Sequence, residues 1–139
     1  MASLLAGCAS VPKADMLADQ AAKAFLVKPG KGNVYVYRKN AFVGSAIALQ
    51  VIFDGQVAGA TGPGTFLLWE ASPGNHTVSS QTAESFTTTK LIVELGKSYY
   101  IEQNSSFGVA GPRVSLRQTD ETEGQREVRK CSLVSNGLQ

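Results

Sequence analysis

The sequence predicts a mainly β protein: an antiparallel β-sandwich of seven or eight short strands, with an N-terminal helix and a short C-terminal helix. Three observations point there. From Gly32 onward, β-branched and aromatic residues alternate with a period of two, as half-buried strands require. Turn signals built from Gly, Pro, Asn and Asp return about every ten residues. No recurring crossover helix of the kind a parallel sheet needs is present. The 139 residues suffice for one domain, and 43% hydrophobic with 17% charged residues is a globular composition.

The elements follow in order. ADMLADQAAKAF (14–25) reads as a helix capped by Asp15, with Leu17, Ala21 and Phe25 at i, i+4 and i+8 as the docking face. Pro29-Gly30 marks its end. NVYVYRK is the first strand; Tyr35 and Tyr37 share one face while Val34, Val36 and Arg38 take the other. SAIALQVIF runs into Asp54-Gly55, a hairpin signal, and QVAGATG returns. Gly62-Pro63-Gly64 breaks that strand. TFLLWEA, the Ser72-Pro73-Gly74-Asn75 turn and HTVSSQT read as a second hairpin. TTTKLIVEL and KSYYIEQN, split at Leu95-Gly96, read as another. RVSLRQT is the last clear strand. In DETEGQREVRK, Asp120 and Glu123 have capping-box spacing for a short helix that Gly124 weakens.

Composition also narrows function. A formal charge of +2, evenly spread, does not make a nucleic-acid surface. No apolar run is long enough to span a bilayer as a helix. Two cysteines, Cys8 and Cys131, and one histidine, His76, cannot supply a four-ligand structural zinc site without carboxylate help. No metal and no cofactor are expected. Gly59-Ala60-Thr61-Gly62-Pro63-Gly64 lacks the lysine and the following helix of a phosphate loop, so it reads as a turn.

Leu5-Ala6-Gly7-Cys8 resembles the bacterial lipobox, in which small residues precede the cysteine that receives lipid. Residues 1–8 are then read as the remnant of a lipoprotein signal, 9–13 as a tether and 14–139 as the domain. Seven residues without Lys or Arg precede Cys8, so the expectation is that the chain begins inside its signal. Two or more acyl chains hold a protein stably on a bilayer. Ala9 stands where the resemblance would place an aspartate for inner-membrane retention, so the expected location is the outer membrane, facing the periplasm. With Cys8 acylated, Cys131 would be an odd cysteine, expected to be a sheltered thiol.

VYVYR, VIFDGQVAG, GTFLLWEASPGNHTVSS and GKSYYIEQ, in that order, resemble an uncharacterised family of small bacterial lipoproteins, a domain of unknown function. The resemblance covers roughly residues 20–131, and the DG-to-PGxHTV portion is also similar to PEGA-type β-modules. It implies a periplasm-facing β-domain on a lipid anchor and no known reaction, hence no catalytic residues.

Candidate chemistry is sparse. His76 follows a turn, where its ring can bond across that turn rather than act as a base. Asp120, Glu121 and Glu123, among Arg126, Glu127, Arg129 and Lys130, read as a solvated helix rather than a glycosidase pair. Trp69 reads as core. Tyr35, Tyr37, Tyr99 and Tyr100 are the candidate partner-binding residues, since a tyrosine has a broad apolar body and a polar tip. The reading is a non-enzymatic lipoprotein that binds an envelope protein or glycan or gives structural support. Its rivals are a periplasmic inhibitor or accessory subunit of an envelope enzyme, and a small hydrolase.

Overall fold

The computed structural model describes residues 11–40, 47–108 and 111–139. They form α1 (Met16–Ala22), β1 (Gly32–Arg38), β2 (Leu49–Phe53), β3 (Gln56–Thr61), β4 (Thr65–Ala71), β5 (Gly74–Gln81), β6 (Phe86–Val93), β7 (Ser98–Gly108), β8 (Gly111–Thr119), α2 (Glu121–Arg129) and β9 (Ser132–Leu138). The strands make two sheets, a five-stranded one ordered β8-β7-β1-β4-β9 and a four-stranded one ordered β3-β2-β5-β6. This is the expected mainly β sandwich with two flanking helices.

Two cores hold three layers together. Between the sheets, Val34, Val36, Leu67 and Ile101 meet Val51, Phe53, Val78 and Leu91. On the other face of the five-stranded sheet, Tyr35, Tyr37, Phe66, Leu68 and Tyr100 pack with Ala22 of α1, Val128 of α2 and Cys131. β1 lies at the centre and is buried at every position. Its alternating Val and Tyr therefore do not divide into an inside and an outside; each set enters a different core.

Five details differ from the sequence reading. The larger sheet is mixed rather than purely antiparallel: β1 and β7 run parallel, as do β4 and β9. Ser72–Asn75 and Glu94–Lys97 do not close hairpins but carry the chain between sheets, since β4 and β7 belong to one sheet and β5 and β6 to the other. β9 is a strand beyond RVSLRQT; it pairs with the sequence-distant β4, and its Asn-Gly signal sits inside it at Asn136 (φ 58°) rather than in a turn between strands. Lys13, the last residue of the expected tether, makes an isolated bridge to Val134 of β9, and the following Ala14 amide donates to the Leu133 carbonyl (2.9 Å).

The fifth concerns α1. Asp15 caps it as expected, accepting from the Ala18 amide at 2.8 Å. The docked face, however, is Ala18 and Ala22, while Leu17 is 79% exposed. The helix ends at Ala22, short of Pro29. Phe25 adopts φ 58° and turns its ring onto Tyr35 and Tyr100, with centroids 5.4 and 6.2 Å apart.

Candidate functional site

The polar cluster with the most chemistry is assembled by two turns. Asp54 and Gly55 both take positive φ (49° and 83°), the conformation of a two-residue hairpin turn. That turn sets the Asp54 carboxylate beside β5, where Oδ1 accepts from the Thr77 amide (2.8 Å) and Oδ2 lies 2.6 Å from His76 Nδ1. The second ring nitrogen, Nε2, is 2.6 Å from the Ser72 carbonyl oxygen. A carboxylate and a carbonyl only accept, so making both bonds at once requires both nitrogens to donate, which favours the protonated, imidazolium form.

The electrostatics agree. Burial alone would lower the His76 pKa, but the bonds to Asp54 and Ser72 and the carboxylate's charge outweigh it and raise the pKa above its ordinary value. For Asp54, burial opposes ionisation, yet the bonds from His76 and Thr77 hold its carboxyl below the ordinary range. The imidazolium ring also stands edge-on to Trp69 (4.8 Å, 75°), and Trp69 stacks on Phe53 (4.4 Å, 13°). The cluster clamps the β2–β3 turn to the β4–β5 corner and rests on the core. His76 bonds across its turn as the sequence suggested. The pairing with Asp54 is not legible in the sequence, because a separation of 22 positions carries no spacing signal; only the two turns bring them together.

Two shallow depressions meet at Asp54. One, of about 530 Å³, lies between His76, Asn75 and Lys90, Leu91 and Ile92 of β6. The other, of about 350 Å³, lies between Gln56, Val57, Trp69 and Gln139. Such a surface can receive a side chain or a polar ligand. Proton transfer through His76 would first require one of its two bonds to break. Among the described residues no group of three or more His, Cys, Asp or Glu is placed to hold a metal ion. No helix among them is long and apolar enough to cross a membrane.

Three of the four tyrosines read as contact residues are interior. Tyr35 and Tyr37 are 0% exposed and Tyr100 is 1% exposed. Tyr35 donates to the Ala22 carbonyl (2.9 Å) and stacks on Tyr100 (5.1 Å, 8°), while Tyr37 bonds Thr119 (3.2 Å). Burial pushes the Tyr37 phenol up to about 12, and Tyr35 and Tyr100 move the same way. The physical reason is the third layer: α1 and α2 cover the face on which these rings stand. Tyr99, on the opposite face of β7, is half-buried and its hydroxyl accepts from the Glu94 amide (2.9 Å).

The carboxylate run folds as a capped helix. Asp120 accepts from the Glu123 amide (2.8 Å), and Arg117 joins Glu102 to Glu123. Glu102 is buried on the helix side of the sheet and also faces Lys39 (3.6 Å). Arg38, on the opposite face, donates to the carbonyls of Ile47 (2.6 Å) and Thr61 (3.0 Å). Cys131 is the sheltered thiol expected, buried with burial pushing its pKa up to about 11. Cys8 lies outside the described residues.

Residues 28–114 match the family described as "Protein of unknown function (DUF2846)", which is more than half of the chain, and the chain belongs to that family. It is also 33% identical over 135 residues to an uncharacterised protein of Haemophilus influenzae, covering 96% of this chain and 79% of that one.

Proposed function

We propose that this protein is a lipid-anchored module of the bacterial envelope, held on the outer membrane through Cys8, facing the periplasm, and acting by binding or structural support rather than by catalysis. The observation that carries the reading is positional. Leu5-Ala6-Gly7-Cys8 ends three residues before Val11, which packs against the sandwich core. A lipid on Cys8 would therefore tether the folded domain closely, with only Ala9 and Ser10 between Cys8 and Val11. Fractionation of cells expressing the chain behind a complete signal tests it. The wild type is expected with the membranes, released only by detergent and carrying acyl mass on Cys8. The Cys8→Ser protein is expected to be soluble or unprocessed. A Cys8→Ser protein that stays membrane-bound overturns the reading.

The accessory-subunit reading has its own support. Val57 and Ile92 are exposed beside the two depressions that meet at Asp54, the kind of apolar rim a protein partner covers. Under it, Val57→Glu and Ile92→Glu abolish recovery of one stoichiometric partner after mild detergent extraction while leaving the fold intact.

A further inference from the structure

Backbone hydrogen bonds gather three chain segments at one end of the sandwich. The Gly96 amide donates to the Lys31 carbonyl (2.9 Å), and the Lys31 amide to the Lys28 carbonyl (3.1 Å). The Asn33 amide takes the Lys97 carbonyl (2.9 Å), and its side chain takes the Leu26 carbonyl (3.0 Å). The C-terminal segment joins them, because the Glu70 amide donates to Gln139 (2.9 Å) and Lys28 pairs with Glu70 (3.3 Å). This end carries three large apolar side chains in water: Leu26 is 78% exposed, Leu95 63% and Leu138 49%. Lys28 and Lys97 stand exposed among them, Lys28 beside Glu70 and Lys97 beside the exposed Glu94 (3.7 Å).

The N-terminal segment leaves the domain towards the same end. Lys13 pairs antiparallel with Val134, and the Ser135 amide donates to the Pro12 carbonyl (2.8 Å). Traced back from Lys13 through Pro12 to Val11, the described chain therefore heads towards the end of β9 that carries Leu138 and Gln139. Cys8 is three residues beyond Val11, a reach of at most about 11 Å in extended chain. An anchor there cannot hold this end far from the headgroups.

We propose that the end bearing Leu26, Leu95 and Leu138 docks into the headgroup layer of the bilayer that carries the anchor, so that the sandwich stands on the membrane in a fixed orientation. The proposal rests on acylation of Cys8. Exposed leucines flanked by lysines suit that layer: the apolar tips enter it and the ammonium groups stay with the phosphates.

The test couples Cys8 to a maleimide-headgroup lipid in vesicles of phosphatidylethanolamine and phosphatidylglycerol with brominated acyl chains. Cys131 is buried and does not compete. Tryptophan is introduced singly at Leu26, at Leu95, and at Phe86, an exposed apolar residue at the opposite end of β6. Emission from Trp69 is subtracted using the unsubstituted protein. Leu26→Trp and Leu95→Trp should lose about half or more of the added emission, and Phe86→Trp should lose almost none, because only the docked end lies at the shallow depth that interfacial side chains reach. Equal quenching at all three sites, or none at Leu26 and Leu95, overturns the docking surface. Because the tether is chemical, that failure is separate from a failure of acylation, which the cell fractionation reads and which would remove the anchor and this proposal with it.

Discussion

Gly124 and Tyr100 are in direct contact: a Cβ built on Gly124 would lie 2.2 Å from Tyr100 Cγ. The tyrosine ring is itself held by stacking on Tyr35 and by Phe25, and its hydroxyl accepts from Gln125 (3.1 Å). α2 can approach the sheet this closely only where it has no side chain. Two effects of Gly124→Ala therefore oppose each other. Helix propensity favours alanine by about 0.8–1 kcal/mol. Overpacking a well-filled core costs about 1–3 kcal/mol. The clash involves a ring with little room to move, so the substitution is expected to destabilise by about 1–2 kcal/mol net. Urea unfolding of the two proteins measures it, and a gain in stability would show that α2 can lift off without cost.

Tyr35 makes a second prediction on the same face. Tyr35→Phe keeps the ring stack but removes the hydroxyl bonded to the Ala22 carbonyl and near Asn33 Nδ2 (3.5 Å). The Ala22 carbonyl would then lack its side-chain donor, a loss of about 1–3 kcal/mol. Tyr35→Ala also empties an aromatic site in the core, costing about 3–5 kcal/mol. Thermal unfolding of both variants checks the order, and a Tyr35→Ala protein as stable as wild type would contradict the buried stack.

These tyrosines mark where sequence reading reaches its limit. The alternation in NVYVYRK identifies a strand but not whether one face or both are covered. Coverage depends on α1 and α2, whose helical patterns are short and, in α2, mostly charged. The apolar contribution of α2 is little more than Val128 plus the gap at Gly124, which carries no periodic signal. Leu17, by contrast, fitted a helical repeat and yet lies in water, because small alanines let α1 sit flat on β9. Eight strands and both helix caps were legible because turns and caps are local chemistry. β9, the parallel pairings and the Asp54–His76 pair were not, because each joins residues distant in sequence.

The Asp54–His76 clamp makes stability depend on pH with a definite sign. His76 has a raised pKa in the folded protein, so its contribution is complete below its ordinary value of 6.5 and is lost as pH climbs through the raised value. Asp54 has a lowered pKa, so its contribution is complete above 3.8 and is lost as pH falls through the lowered value. The melting-temperature difference between wild type and His76→Ala should be largest between about pH 4 and 6.5. It should shrink in alkaline solution to the residue left by lost contact with Trp69. A difference that grows with pH would reverse the protonation assigned to the ring.

Gln103 supports the last prediction. It is fully buried between the sheets, donating to Ser80 Oγ (2.7 Å) and the Gln50 carbonyl (3.2 Å) and accepting from Thr61 Oγ1 (2.6 Å). One side chain on β7 thereby ties together β2, β3 and β5. Gln103→Leu keeps the volume but strands the Thr61 hydroxyl without its acceptor. Ser80 keeps its own bond to the Gln50 carbonyl (2.7 Å). An orphaned buried hydroxyl costs about 1–3 kcal/mol, whereas removing both partners of a bond in matched shapes is close to neutral. Thr61→Val in the Gln103→Leu background should therefore recover most of the loss, although Thr61→Val alone is destabilising. A double-mutant cycle in urea reads the coupling directly. Additive losses from the two substitutions would mean that Thr61 and Gln103 are not bonded to each other in solution.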